Sequence, residues 1–185
     1  MKFDLVTVSS HTIFCIRTTV PLTKIAPFLQ PSYERLEQVL KDLNVESVAG
    51  RAYTYAISPD DIDITAALVI AEKDRETVRE AIEKAQHDNP DGSADDLELV
   101  TFEKGPAARA THHGNYNTLG NSWDAFSQEL ASQSVKVAAP AFEDYVDRGG
   151  ENSSSAVTDL YWYLERQATI TKGLWTFLRE DSAAL

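Results

Sequence analysis

Cysteine occurs once in this chain, at Cys15, so no internal disulfide can form and the fold rests on its packing. Basic residues are scarce. Lys and Arg number 17 against 29 Asp and Glu, a formal charge of −12. That balance argues against a general nucleic-acid binder, whose affinity comes from cations neutralising phosphates. It would instead attract cationic ligands. No apolar run approaches the roughly 18 residues needed to cross a bilayer, so no membrane association is expected. No charged segment followed by an apolar stretch and a cleavage site opens the chain, and the expected location is cytoplasmic. The glycines at 114 and 120 are not followed by lysine, which excludes a phosphate-binding loop. His112 and His113 are adjacent on an expected strand and point to opposite faces, so they cannot form a two-histidine metal site. No serine, histidine and acid fall in a recognisable nucleophile setting. No cofactor or metal is expected, and no residue is assigned to catalysis on these grounds.

Hydrophobic residues make up 43% and charged residues 25% of the 185, an ordinary globular composition. The length fits one domain with a proper core. The informative feature is a repeat. Phe3-Asp4-Leu5-Val6-Thr7-Val8 reads again as Leu97-Glu98-Leu99-Val100-Thr101-Phe102. Leu29, Tyr33, Leu36 and Leu40 reappear as Leu119, Trp123, Phe126 and Leu130. Tyr53 and Tyr55 align with Glu143 and Tyr145, and Ile64-Thr65-Ala66 with Val157-Thr158-Asp159. On this alignment the second copy has gained two carboxylates, Glu143 in place of Tyr53 and Asp159 in place of Ala66.

Leu5–Val8 and Thr12–Thr18 carry the β-branched composition of strands, with Ser9-Ser10-His11 between them. Leu29, Tyr33, Leu36, Leu40 and Leu43 form one face of an amphipathic helix, with Pro31 in its first turn. Strands follow at Gly50–Ile57 and Asp63–Ile70. The unit is β-β-α-β-β, or β-α-β-β if its first two strands form one bent ribbon. A connecting helix is expected from Asp74 to Gln86, broken by Asn89-Pro90-Asp91-Gly92-Ser93. The second unit runs through strands Leu97–Phe102 and Ala107–His112, a helix Leu119–Ala131, and strands Ala141–Val146 and Val157–Leu164. The polar loop Gly149–Ser155 is expected to be mobile. Thr171–Arg179, with Leu174, Trp175, Phe177 and Leu178, is expected to form a C-terminal helix. The chain divides into repeat one (about 1–72), the connecting helix (about 73–88), repeat two (about 95–165) and an extension (about 166–185). Cys15, Trp123 and Phe126 are expected in the core, with Trp123 reaching the end of any groove.

His112, Gly114, Tyr116, Leu119 and Trp123 resemble the hallmark of the GyrI-like (gyrase-inhibitor-like) small-molecule-binding domains, which also serve as effector-binding domains of AraC-type and MerR-type multidrug regulators. That motif reads His-x-Gly-Pro-Tyr, then Leu and an aromatic on a helix. Asn115 stands where proline is usual. Thr158-Asp159-Leu160-Tyr161 occupies the place of the family's Thr-Glu-aliphatic-Tyr strand, and Phe142-Glu143-Asp144-Tyr145 is similar to its third strand. The resemblance spans roughly residues 1–165. It implies an α+β fold of duplicated β-α-β-β units with pseudo-two-fold symmetry. Their antiparallel sheets would form a groove, with the helices packed behind.

Strand alternation places Asp159, Tyr161 and Tyr163 on one face and Leu160, Trp162 and Leu164 on the other, the latter reading as the helix-packed core. Glu143 and Tyr145 share a face, as do Tyr53 and Tyr55. The expected ligand-binding set is Tyr53, Tyr55, Tyr116, Trp123, Glu143, Tyr145, Asp159, Tyr161 and Tyr163. His112 is expected to order the turn before the helix, with Gly114 supplying its backbone freedom. Aromatic faces beside a carboxylate favour an amphipathic or cationic aromatic small molecule, and this is the first reading: a stand-alone binding domain with no helix-turn-helix of its own. The resemblance implies two alternatives beside it, since part of the superfamily looks hydrolytic and some of its members inhibit gyrase. One is a hydrolase of electrophilic, cyclopropane-containing aromatic compounds. Glu143 or Asp159 would be its general base, and Tyr116, Tyr145 or Tyr161 its hydrogen-bond donors. The other is a protein–protein inhibitory module, such as a gyrase inhibitor, whose groove is filled by its own side chains.

Overall fold

In the computed structural model, residues 1–89, 92, 94, 96–148 and 155–165 are described. Eight strands and three α-helices follow one another as β1 (Asp4–Val8), β2 (His11–Pro21), α1 (Ile25–Asp42), β3 (Ser47–Ile57), β4 (Asp61–Ile70), α2 (Arg75–Asp88), β5 (Leu97–Phe102), β6 (Gly105–His113), α3 (Leu119–Ser132), β7 (Val137–Asp147) and β8 (Val157–Leu164). Short 3-10 turns at Leu22–Lys24 and Tyr116–Thr118 lead into α1 and α3. Residues 149–154 of the polar loop, and the whole Thr171–Arg179 segment, lie outside the described residues.

All eight strands form one antiparallel sheet in the order β1-β6-β8-β7-β3-β4-β2-β5. Exchanging each strand of one repeat for its counterpart in the other reverses this order and leaves it unchanged. The fold is thus α+β and pseudo-two-fold, with the seam between β3 and β7. The helix stop is duplicated too. Asn44 and Ser134 both adopt positive φ, 56° and 57°. Directly after them, the Val45 and Val135 amides bond back to the Leu40 and Leu130 carbonyls, each at 2.9 Å. This is the left-handed cap that satisfies otherwise orphaned helix carbonyls.

The first strand of each repeat is exchanged. β1 pairs with β6 of the second repeat, and β5 with β2 of the first. Ser9 and Ser10 alone join β1 to β2, which stand at nearly opposite ends of the sheet order. Two residues can bridge only about 11 Å, so the sheet must roll until its edges approach. Its inner face then closes on a core of Val8, Ile13, Cys15, Tyr53, Ala67, Val69, Ala107 and Phe142. Phe102 from the β5 edge stacks on Tyr53 at 4.9 Å and on Tyr163 of β8 at 6.2 Å. Cys15 is buried there, and burial pushes its thiol up to about 12.

The outer face carries the helices. α1 and α2 lay Leu36, Leu40, Val78 and Ile82 on Phe14, Ile16, Ala66, Leu68 and Ile70. α3 lays Phe126 and Leu130 on Ala108, Ala110 and Leu160. Each such side chain contributes about 1.5–3 kcal/mol on burial. α1 begins at Ile25, earlier than its apolar stripe indicates, so Pro31 lies inside the helix rather than in its first turn. The 3-10 turn at Leu22–Lys24 starts the helical path before the first stripe residue, Leu29.

Candidate ligand-binding site

The two helices do not meet over the seam. Between α1 and α3, above β3 and β7, a cavity of about 1360 Å³ opens on the helix-bearing face. Its floor follows the strand register. One row runs Trp162, Ala141, Thr54, Ile64, and the next runs Leu160, Glu143, Ala52, Ala66, of which Glu143 reaches the cavity.

At the centre stands Glu143. The Trp123 indole N–H donates to one carboxylate oxygen at 2.8 Å, and the Tyr145 hydroxyl donates to the other at 2.8 Å. Burial holds the Glu143 carboxyl above the usual carboxylate range, against the opposing effect of those two donors. Burial, with the Glu143 charge next to it, drives the Tyr145 phenol well above its ordinary value. Tyr33 and Tyr116 present their rings edge-on to Tyr145, with centroids 6.2 and 5.8 Å away. The Tyr33 hydroxyl donates to the Arg51 carbonyl. Trp162 meets Trp123 edge-on at 5.8 Å. Glu34, Glu37 and Asp124 line the cavity too, with Arg148 as the one basic side chain of its described lining. Arg148 reaches Glu37 at 3.4 Å and lies 6.0 Å from the Tyr33 ring centre.

The turn that delivers Tyr116 is built as the sequence indicates. The buried His112 accepts from Ser122 through Nδ1 at 2.8 Å and donates through Nε2 to the Asn115 carbonyl at 3.2 Å. This ties β6 to α3. Gly114 has φ 120°, a conformation open to glycine and strained for other residues. The Asn115 side chain accepts from the Asn117 amide at 2.8 Å and caps the 3-10 turn that carries Tyr116. His113 points outward and is exposed.

Of the residues read from the sequence, Tyr55, Tyr116, Trp123, Glu143 and Tyr145 border the cavity. Tyr53, Asp159, Tyr161 and Tyr163 do not; they lie on the inner face. Tyr53 is fully buried between Phe102 and Phe142. Tyr161 stacks on Phe142 at 4.5 Å. Asp159 accepts from the Thr111 hydroxyl at 2.6 Å and lies 4.0 Å from the Arg109 guanidinium, so protein partners already meet it. The cause is register. Glu143 is the cross-strand neighbour of Leu160 and of Ala52, all on the helix side. Glu143 therefore corresponds to Ala52 rather than Tyr53, and Leu160 rather than Asp159 corresponds to Ala66. A slip of one residue turns every side chain to the other face. The groove is accordingly walled by the helices and opens on their side of the sheet, not on the face bearing Tyr161. Tyr55 is the unpaired residue of a bulge in β3. It is among the residues that border the cavity, but its ring packs against the inner-face core under the Arg17 guanidinium, 3.7 Å from the centroid.

Sequence reasoning missed Tyr33 and Trp162 as cavity residues. The repeat carried a signal for the first: Tyr33 aligns with Trp123, and each projects from its own helix toward the seam. Among the described residues, no group of three or more His, Cys, Asp or Glu is placed to hold a metal ion. No described helix is long and apolar enough to cross a membrane.

A symmetric curved sheet with an aromatic cavity between its two helices defines a small-molecule-binding domain. The chain matches the GyrI-like small molecule binding domain over residues 1–165 and belongs to that family. It is similar in fold to EcmrR in a cryo-EM complex with DNA (TM-score 0.66, 14% identity, 90% of this chain), of which it spans 58% of the length. It is also similar to SAV2435 bound to tetraphenylphosphonium (TM-score 0.62, 15% identity, 89% of this chain and 94% of that one). A hydrolase from Listeria innocua shares the fold as well (TM-score 0.60, 16% identity, 87% and 90%). No curated protein matches the chain.

Proposed function

We propose that this chain captures cationic aromatic small molecules in the cavity between α1 and α3, with Glu143 as the counter-charge. The observation that carries the reading is a carboxylate on the floor of an aromatic cavity, held by Trp123 and Tyr145 and lacking a basic partner at hydrogen-bonding distance among the described residues. An ionised carboxylate out of bulk water is costly unless paired, and a ligand cation supplies the pair. The rings of Tyr33, Tyr116, Tyr145 and Trp123 add about 0.5–2 kcal/mol for each face a cation meets. An open volume of about 1360 Å³ favours a small-molecule occupant over a groove filled by the chain's own side chains. The relative bound to tetraphenylphosphonium supplies a probe.

The test is calorimetric titration with tetraphenylphosphonium and with neutral triphenylphosphine oxide. Glu143→Gln keeps the shape and removes the charge. Affinity for the cation should fall by about 1.5–3 kcal/mol, the scale of a charged hydrogen bond, or roughly ten- to a hundred-fold. The neutral compound should change much less. Asp159→Asn, on the inner face, should alter neither. Unchanged cation binding in Glu143→Gln would overturn the electrostatic half of the reading.

The same carboxylate supports a second reading. Its raised pKa beside the Tyr145 hydroxyl is the arrangement a general base uses to deliver water to an electrophilic aromatic substrate. In the hydrolase reading Glu143 takes the proton of the water, whose oxygen bonds to a cyclopropane carbon as the ring C–C bond breaks. The electron pair passes to the conjugated carbonyl oxygen, which the Tyr145 or Tyr116 hydroxyl steadies and which then receives the proton held by Glu143. Turnover of a cyclopropane-containing substrate that stops in Glu143→Gln would place this reading first.

A further inference from the structure

The two repeats line the cavity unequally. Repeat two supplies the acid and most of the aromatics: Tyr116, Trp123, Glu143, Tyr145 and Trp162. Repeat one supplies Tyr33, the exposed acids Glu34 and Glu37, and an aliphatic wall that includes Leu22, Ile25, Leu29, Ile57, Ile62 and Ile64. Register sorts these groups along the seam. Glu143 pairs with Ala52, and Tyr145 and Arg148 lie toward the N-terminal end of β3, where Arg148 meets Gly50. In the other direction come Ala141 beside Thr54, then Ala139, Ala56 and Ile57, with Ile62 across from Ile57. Measured on β8, across the bulge at Ala139, Glu143 and Ala138 are three residues apart (Leu160 to Tyr163), roughly 10 Å at 3.3 Å per residue. The cavity is therefore a trough with an acidic, tyrosine-lined end and a largely aliphatic end, and Trp162 stands between them beside Ala141.

The aliphatic end is open. Ile57 is 69% exposed and Leu22 37%, and both belong to the cavity wall. Exposed apolar side chains that continue a cavity mark ground for an apolar ligand part. The volume also exceeds the 300–1,000 Å³ typical of ligand pockets, so a compact cation seated at Glu143 leaves the far end unfilled.

Building on the capture of cations at Glu143, we propose that the aliphatic end is a tail-binding subsite and that the preferred ligand is an elongated cationic amphiphile. Such a ligand is a quaternary ammonium or phosphonium head carrying an unbranched apolar tail. The head sits among Glu143, Tyr33, Tyr116 and Tyr145. The tail runs over Ala141 and Thr54 to Ala139, Ala56 and Ile57.

The probes are n-alkyltrimethylammonium salts with hexyl, octyl, decyl and dodecyl tails, titrated below micelle formation into the full chain, with tetraphenylphosphonium as the compact reference. Affinity should rise roughly two- to four-fold per added methylene, the range for partial to full burial. Ile57→Asp and Leu22→Asp place a charge at the tail end on exposed positions that leave the core intact. Either should flatten the chain-length dependence while leaving tetraphenylphosphonium within about two-fold. Glu143→Gln should weaken every member by a similar factor and keep the slope. A wild-type series without slope overturns the subsite. A slope that persists in both tail-end variants also overturns it, because adsorption elsewhere is then responsible. If Glu143→Gln weakens the whole series but the slope is absent, the tail subsite alone fails. If Glu143→Gln changes nothing, the reading of the acid as counter-charge fails instead.

Discussion

Two side chains tie this fold to pH, and they do so with opposite signs. Glu143 has its carboxyl raised by burial. Between the ordinary value of 4.5 and that raised value the folded chain holds more protons than the unfolded one, so stability falls as pH rises through the window. The ionised form is costly in this buried site, and a bound cation offsets that cost. Glu143→Gln should therefore melt higher than the wild type while binding cations more weakly, at about 2–4 °C for each kcal/mol gained in a chain of this size. His11 behaves in the reverse sense. Burial lowers its pKa from 6.5. Nδ1 donates to the Ser9 carbonyl at 2.8 Å, and Nε2 accepts from the Tyr53 hydroxyl at 2.8 Å, which requires the neutral ring. Between the lowered value and 6.5 the unfolded chain binds more protons, so His11 contributes stability near neutrality that is lost as pH falls through that window. Melting curves from about pH 5 to pH 7 should show a smaller pH dependence in His11→Gln than in the wild type. An unchanged profile would remove His11 from the account.

At the scale of elements, the alternation of β8 and the apolar stripes of the helices were legible because each is a local pattern with a fixed period. Leu119–Ser132 and Val157–Leu164 lie where that periodicity puts them. The fold class was legible from the repeat and the family resemblance. The face of the groove was not, because it depends on which residues of β7 oppose which residues of β3 and β8. Strand sequences with similar residues on both faces, such as Phe142-Glu143-Asp144-Tyr145, do not fix that register by themselves. The exchange of β1 and β5 is a long-range pairing with no local signature. The His112–Gly114 turn was readable in full, and it supports a contrast between two glycines. Gly114→Ala forces a side chain into φ 120° and should cost about 1–3 kcal/mol. It should also weaken ligand binding by displacing Tyr116. Gly120 sits in the first turn of α3 with nothing within 4 Å of an added Cβ. Gly120→Ala should leave stability unchanged or raise it by up to about 1 kcal/mol. Thermal melts of the two variants, with a tetraphenylphosphonium titration of each, check the pair.

At the scale of the molecule, the strand exchange decides whether the repeats can unfold separately. β1 completes the sheet of repeat two and β5 that of repeat one. Arg51 of β3 and Asp144 of β7 form a 2.8 Å ion pair across the seam. The inner core draws Ile13, Tyr53 and Val69 from repeat one and Ala107 and Phe142 from repeat two. Neither repeat retains a closed core once the other is lost, so the described body should unfold in one transition. The tryptophans provide a test because none lies in repeat one: they are Trp123, Trp162 and Trp175. Leu68 is fully buried beneath α1 and α2. Leu68→Ala should cost about 2–5 kcal/mol, the range for a deleted core leucine. In urea, tryptophan fluorescence and far-ultraviolet circular dichroism should then shift to the same lower midpoint, although Leu68 belongs to the repeat without tryptophan. If the fluorescence midpoint stays at its wild-type position while the dichroism midpoint falls, the repeats unfold independently and the exchanged strands do not couple them.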